Sequence, residues 1–214
     1  MAGPKALVNE NATTSPTSQP STSQPATTQE SKAGSVSLEL SPRAGGGAPW
    51  AWKDLGPLDR GAITKGYTNP TVTVTPTTVA AGTGPDGQPR YGISLKIAVN
   101  QQIYINSRYK PAPNLVDEAK EALERSVRGG YGHEQRHLQN GIAIAIDADR
   151  AAQGLVGTTY RTKAHADDWG QKVADLIKTR IEVDLKRDAQ HNYAKESVSE
   201  QNYPVIGKMP PPIN

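Results

Sequence analysis

Residues 91–99 read YGISLKIAV, a run in which every second residue is large and apolar. Successive side chains of a strand point to opposite faces, so this alternation predicts a β-strand with one face in the core, formed by Tyr91, Ile93, Leu95, Ile97 and Val99. Residues 103–105, Ile-Tyr-Ile, extend the strand, and the prolines shortly after them end it. The sequence therefore predicts a β-strand over residues 91–99 that contributes one face to the core.

A second strand is predicted immediately before it. Residues 71–79 read TVTVTPTTV, which is rich in β-branched residues, but Pro76 lacks an N–H and so restricts this run to an edge or a broken strand. Residues 82–87, GTGPDG, predict a tight turn between the two runs. We expect a hairpin or a small antiparallel sheet, whose edge strand could pair with an assembly partner.

The remainder of the chain has the apolar spacing of helices. Apolar residues recur every three or four positions over residues 115–127, 133–153 and 166–189, and the glycines within residues 129–132 separate the first two segments. The sequence therefore predicts an α+β fold, in which a small antiparallel sheet is followed by a three-helix half.

The beginning of the chain has a different composition. Between residues 11 and 30, sixteen of twenty positions are Ser, Thr, Pro or Gln. Such a segment buries too little apolar surface to offset its ordering entropy. We predict a disordered tail over residues 1–48, either a passive linker or a tether, then a domain over residues 49–204 and a solvated Pro-rich tail over residues 205–214.

Composition excludes several classes of function. The 214 residues contain no Cys, which rules out disulfide scaffolds, thiol nucleophiles and Cys-ligated metal centres. The net charge of +3 is too small to favour a nucleic-acid partner. No apolar run approaches the ~18 residues of a membrane span, and the N-terminus lacks the apolar core of a signal peptide, so we expect any export to use another route.

The string that carries chemistry is His133-Glu134-Gln135-Arg136-His137, an H-E-x-x-H pattern. On a helix the two histidines lie one turn apart on the same face, where their rings can converge on one tetrahedral Zn²⁺. Glu134 would then deprotonate a zinc-bound water without ligating the metal. The alternatives are a surface helix whose polar side chains are solvated, and a metal-free remnant that keeps only the fold.

A third zinc ligand must come from elsewhere in the chain. The sequence favours His191, at the end of the third predicted helix, over His165 before that helix. A carboxylate one or two turns after the pattern, Asp147 or Asp149, is a further alternative. Tyr193 is a candidate to donate a hydrogen bond to the oxyanion, or else a core residue whose hydroxyl reaches the surface.

The order of these elements resembles a family, the bacterial predicted secreted zinc-dependent proteases of the H-E-x-x-H, or zincin, type. Residues 133–137 match its first motif, and Tyr193 and Ser197 correspond to the Tyr and Thr of its second motif, Tyr-Asp-x-x-Thr-x-His-Gly. Ala194 stands where that motif has Asp, and the His-Gly pair is missing. The resemblance implies a zincin-like fold, a Zn²⁺ cofactor and hydrolysis of a protein or peptide substrate.

Two functions remain open at this point. The first is a zinc-dependent peptidase with Glu134 as general base. The second is a non-catalytic structural or interaction protein that retains a zincin-like scaffold, for example a component of a phage particle or injection device. In that case the N-terminal tail or the edge strand would contact the partner.

Overall fold

The computed structural model describes residues 32–43, 48–57, 66–190 and 209–213. These residues belong to one unit of the chain, Ser31–Asn214. They form strands β1 (Val36–Ser41), β2 (Trp50–Lys53), β3 (Gly66–Thr83) and β4 (Pro89–Asn106), a short 3₁₀ turn (Ser107–Tyr109), and helices α1 (Asp117–Gln153) and α2 (Lys163–Gln190).

Strand β4 is the centre of the sheet. Strand β3 pairs with it antiparallel over almost its whole length, from Gly66 opposite Ile105 to Thr83 opposite Pro89. On the other side of β4, β1 and β2 follow one another end to end, and both run parallel to it. The sheet is therefore mixed, with β4 hydrogen-bonded on both sides.

Two helices cover one face of this sheet. The odd-numbered residues of β4 point toward them, and the predicted apolar face from Ile93 to Val99 is completely buried. A first cluster joins these residues to the second half of α1 and to α2, and a second cluster joins Ile103 and Ile105 to the first half of α1. Gln101 lies between the two clusters and is the polar exception on this face.

Helix α1 corrects the prediction of three helices. The first two predicted helices form one continuous helix of 37 residues, and α2 is the third predicted helix. Gly129, Gly130 and Gly132 lie inside α1 and are buried, as is Tyr131, whose hydroxyl donates to Ala48 O at 2.9 Å. Glycine costs a helix about 1 kcal/mol relative to alanine, but tertiary packing overrides this local preference here.

The α+β class is confirmed, whereas the expected antiparallel sheet is wrong because β1 and β2 pair parallel with β4. Strand β1 also lies inside residues 1–48, which were predicted to be a disordered tail. Its alternating Val36, Leu38 and Leu40 pack against the core. The prediction for residues 1–31 lies outside the described residues.

The predicted solvated tail at the end of the chain also needs correction. Met209 packs against the second cluster, and the indole Nε1–H of Trp50 donates to Pro210 O at 2.7 Å. The backbone N–H of Ile213 donates to Trp50 O at 2.8 Å. Residues 209–213 therefore lie along the outer edge of β2.

Neither of the described helices contains an apolar stretch long enough to cross a lipid bilayer.

Candidate functional site

A pocket of about 450 Å³ opens where three elements meet. The beginning of β3 forms one wall, the H-E-x-x-H turn of α1 forms the second, and the last turn of α2 forms the third. Gln101 of β4 lies in the pocket lining as well. His133, Glu134 and His137, which the sequence predicted to act together, all line this one pocket.

The two histidine rings converge inside the pocket. Their Nε2 atoms lie 3.3 Å apart, and the ring planes are inclined at 74°. Two nitrogens bound to one tetrahedral zinc at about 2.0–2.1 Å are held about 3.3–3.4 Å apart. The separation of the two Nε2 atoms matches the distance that a shared zinc ion requires, and it is also within reach of a hydrogen bond between the two rings.

Asp188 of α2 sets the orientation of one ring. His137 Nδ1 lies 2.7 Å from Asp188 Oδ2, and the amide of Asn140 donates to Asp188 Oδ1 at 2.8 Å. When Nδ1 carries the proton and donates it to this carboxylate, the lone pair of Nε2 faces His133. Carboxylates hold metal-ligating histidines in this way in many metal sites.

Asp188 was missed by the sequence reasoning, although a signal was present. It follows Ile181 and Leu185 at helical spacing, and both of these residues are buried. A carboxylate that continues the buried face of a helix must find a partner in the interior. That partner is the H-E-x-x-H turn.

Burial shifts the protonation of His133. Its partly buried environment, together with the positive charge on His137, lowers the pKa of His133 to about 4, against a smaller opposing effect of Asp188. The imidazole is therefore neutral at pH 7. A neutral imidazole is the form that binds a metal ion.

Glu134 is buried at the junction of α1 and β3, with 5% of its surface exposed. Loss of hydration raises the pKa of its carboxyl to about 7, although His137 and a hydrogen bond from Thr68 both oppose the shift. The Thr68 hydroxyl lies 3.0 Å from Glu134 Oε2 and 2.9 Å from its backbone oxygen. A Cβ at Gly66 would lie 2.9 Å from Glu134 Cγ, so this glycine makes room for the side chain.

Gln101 is a second residue that the sequence reasoning missed. Its Nε2 donates to Leu138 O at 3.0 Å, one residue beyond the H-E-x-x-H turn. A Cβ at Gly141 would lie only 2.2 Å from Gln101 Oε1, so the side chain occupies the space that this glycine leaves. The available signal was the single polar residue in the alternating apolar face of β4.

The structure separates the other candidate ligands from the pocket. His165 lies in the first turn of α2, about 35 Å along the helix from Asp188 at 1.5 Å per residue. Asp147 pairs with Arg150, and Asp149 accepts from Gln153, both further along α1. These three residues are therefore not ligands of a metal held by the two converging histidines.

His191 and Tyr193 lie outside the described residues. Within the described parts of the chain, no group of three or more His, Asp or Glu side chains converges as a metal site would require. Helix α2 reaches the pocket with Asp188, Ala189 and Gln190. The next residue in the sequence is His191.

Comparison of the chain with protein-family models, with curated proteins and with solved structures finds no match in any of the three. The resemblance to zinc-dependent proteases accordingly rests on the residues of the two motifs quoted above.

Proposed function

We propose that the chain is a zinc-dependent peptidase whose reaction takes place in the pocket at the H-E-x-x-H turn. The observation that carries this proposal is the 3.3 Å separation of His133 Nε2 and His137 Nε2 beside the buried carboxylate of Glu134. The neutral imidazole of His133 and the contact of Asp188 with His137 suit zinc in this position. We assign the third ligand to His191, because α2 brings the chain to the pocket just before that residue.

Zinc, when bound, supplies a Lewis acid that polarises a carbonyl group and makes water more acidic. The residues of the chain then have separate roles. His133 and His137 bind through Nε2, and Asp188 keeps the proton on His137 Nδ1. Thr68 holds Glu134 Oε2, which leaves Oε1 to take a proton from the attacking water and later to deliver it to the leaving amine.

Tyr193 keeps the role that the sequence suggests, donation of a hydrogen bond to the substrate carbonyl oxygen as negative charge develops there. The peptide substrate would enter beside the beginning of β3, which forms one wall of the pocket.

Zinc stoichiometry tests the first part of the proposal. We expect about one zinc per chain in the wild type and in His165→Ala, a control whose histidine lies far from the pocket. The His133→Ala/His137→Ala variant should hold none. A wild type that binds no zinc at neutral pH, even after zinc is added, would refute the metal site.

Peptide hydrolysis tests the second part. Glu134→Gln should retain zinc and lose at least about 100-fold in hydrolysis of a quenched peptide library, the usual contribution of a general base. A zinc-loaded wild type without activity on any library member, or a fully active Glu134→Gln variant, would contradict the peptidase assignment.

The alternative function is that of a structural or interaction protein, and the observation in its favour is strand β3. Among the described residues, β3 is paired only with β4, so one long edge of this strand is available for a partner. Pro70 and Pro76 lack N–H donors and would limit strand addition to the segments around them. Under this alternative, Glu134→Gln would leave assembly with the partner unchanged.

A further inference from the structure

A second groove, of about 610 Å³, lies away from the candidate metal site and does not depend on the proposed peptidase activity. Trp50 and Trp52 of β2 form one side, and Pro111 and Val127 extend the apolar lining toward α1. The chain's own residues 209–212 form another wall of this groove, beside Trp50.

Both hydrogen bonds described for the segment Met209–Ile213 are made with Trp50. Trp50 donates from its indole Nε1–H to Pro210 O at 2.7 Å and accepts at its backbone oxygen from the Ile213 N–H at 2.8 Å. Two further prolines, Pro211 and Pro212, separate these two contacts, and proline has no N–H. The segment therefore cannot form the continuous hydrogen-bond ladder of a strand.

The groove has the chemistry that recognises proline-rich chains. The rings of Trp50 and Trp52 meet at 74° with their centroids 4.8 Å apart, which gives two aromatic surfaces at an angle to each other. Consecutive prolines favour the extended polyproline II conformation, whose carbonyl groups remain free to accept hydrogen bonds. Aromatic grooves that combine flat rings with a polar donor are a recurring way of binding such segments.

We propose that this groove is a binding site for proline-rich peptides. Met209–Ile213 contacts Trp50 in cis at the wall of the groove, and a proline-rich segment of another protein can take that place. Two hydrogen bonds to Trp50 and the packing of Met209 contribute to holding the segment, and Ile213 remains 50% exposed. A competitor that presents the same carbonyl group and the same proline rings can therefore exchange with it from this exposed end.

The test uses a fluorescein-labelled peptide with the sequence of residues 207–214, GKMPPPIN. In the full chain, Pro210→Ala/Pro211→Ala/Pro212→Ala weakens the cis ligand without changing its length. We expect this triple variant to bind the peptide severalfold more tightly than the wild type does, because the place of the segment beside Trp50 is more often vacant. A GKMAAAIN peptide should bind at least about tenfold more weakly than GKMPPPIN.

Trp50→Phe, added to the triple variant, removes the indole donor and keeps an aromatic ring. Binding of GKMPPPIN should become about 2- to 10-fold weaker, the value of one hydrogen bond. Trp169→Phe is the matched control, because Trp169 lies exposed on α2 and does not line the groove. This control should leave binding unchanged.

Three outcomes would overturn the proposal. The first is a triple variant that fails to fold, since the segment would then be a fixed part of the structure. The second is a folded triple variant that binds neither peptide, or both peptides equally. The third is a wild type that dimerises by exchanging Met209–Ile213 and becomes monomeric in the triple variant, which would make a second copy the occupant.

Discussion

Asp188 contacts His137 and lines the same pocket. Its Oδ2 lies 2.7 Å from His137 Nδ1, and the amide of Asn140 donates to its Oδ1. Under the proposed function, this contact would position a metal-binding nitrogen of His137. A change that keeps its shape and removes its charge isolates this role.

We predict that Asp188→Asn lowers zinc affinity about 10- to 100-fold, as other changes to the partners of metal-binding histidines do. The loss should appear in competition with a chromophoric chelator at pH 7. Asp147→Asn, on the exposed side of α1, is the matched control and should bind zinc like the wild type. Equal zinc affinities for Asp188→Asn and the wild type would mean that the orientation of His137 is set by another group.

Glu134 makes the zinc-free protein sensitive to pH. Burial raises its pKa from 4.5 to about 7, so between these values the folded protein binds more protons than the unfolded chain does. The free energy of unfolding contributed by this group is therefore present at low pH and is lost as pH rises through about 7.

Glu134→Gln removes this decrease in the free energy of unfolding, because the amide of the new side chain stays neutral at every pH. We expect the free energy of unfolding of the variant, relative to that of the wild type, to rise by about 2–3 kcal/mol between pH 5 and pH 8. Urea unfolding in the presence of a chelator measures this difference. His133 titrates in both proteins, so its effect cancels in the comparison. Glu121→Gln, exposed on the same helix, should show no such gain, and a gain of equal size there would refute the assignment to Glu134.

At the scale of secondary structure, α1 packs closely against β4 at Gly141, where the side chain of Gln101 occupies the space beside the glycine. Alanine normally stabilises a helix relative to glycine by about 1 kcal/mol. At this position the added Cβ would meet Gln101 Oε1 at 2.2 Å and displace its hydrogen bond to Leu138. The cost of displacing Gln101 should exceed the gain in helix propensity.

Gly141→Ala should therefore lower the free energy of unfolding by about 1–2 kcal/mol, and should be neutral or stabilising once Gln101→Ala has removed the obstacle. A urea double-mutant cycle measures this coupling. Gly154→Ala is the control, since its Cβ would meet its nearest neighbour at an ordinary 3.6 Å. Additive effects of Gly141→Ala and Gln101→Ala on the free energy of unfolding would show that Gly141 and Gln101 do not interact.

At the scale of the whole molecule, the sheet depends on a strand that comes from the low-complexity end of the chain. Strand β1 pairs with β4 over residues 36–41 and places Val36, Leu38 and Leu40 against the core. The domain therefore begins before residue 36, whereas composition alone placed its beginning at residue 49.

Two truncations distinguish these boundaries. A chain that begins at residue 31 should unfold at the same urea concentration as the full chain, because it keeps all the described strands and helices, the first of which begins at Val36. A chain that begins at residue 44 loses β1 and should be destabilised by at least about 3 kcal/mol, from three apolar side chains at about 1 kcal/mol or more each. Equal stability of the two truncated chains would show that β1 contributes little.

Much of the local structure could be predicted from the sequence. The period of two in residues 91–99 correctly indicated β4, and the spacing of His133 and His137 correctly placed both rings on one helix face. The glycines of residues 129–132 led to a wrong break in α1, because their local preference was weighed without the packing that buries them. The zinc site, including its third ligand, stays a prediction.

Features that repeat over a few residues could be predicted from the chain alone, namely the strand and helix periods and the one-turn spacing of the two histidines. Packing of the folded chain was needed to reveal the parallel pairing of β1, the contact of Asp188 with His137 and the position of Met209–Ile213 beside Trp50. Each of these joins residues about 50 or more positions apart. Local periodicity indicates which face of an element is buried. Which residues contact that face depends on how all the elements pack together.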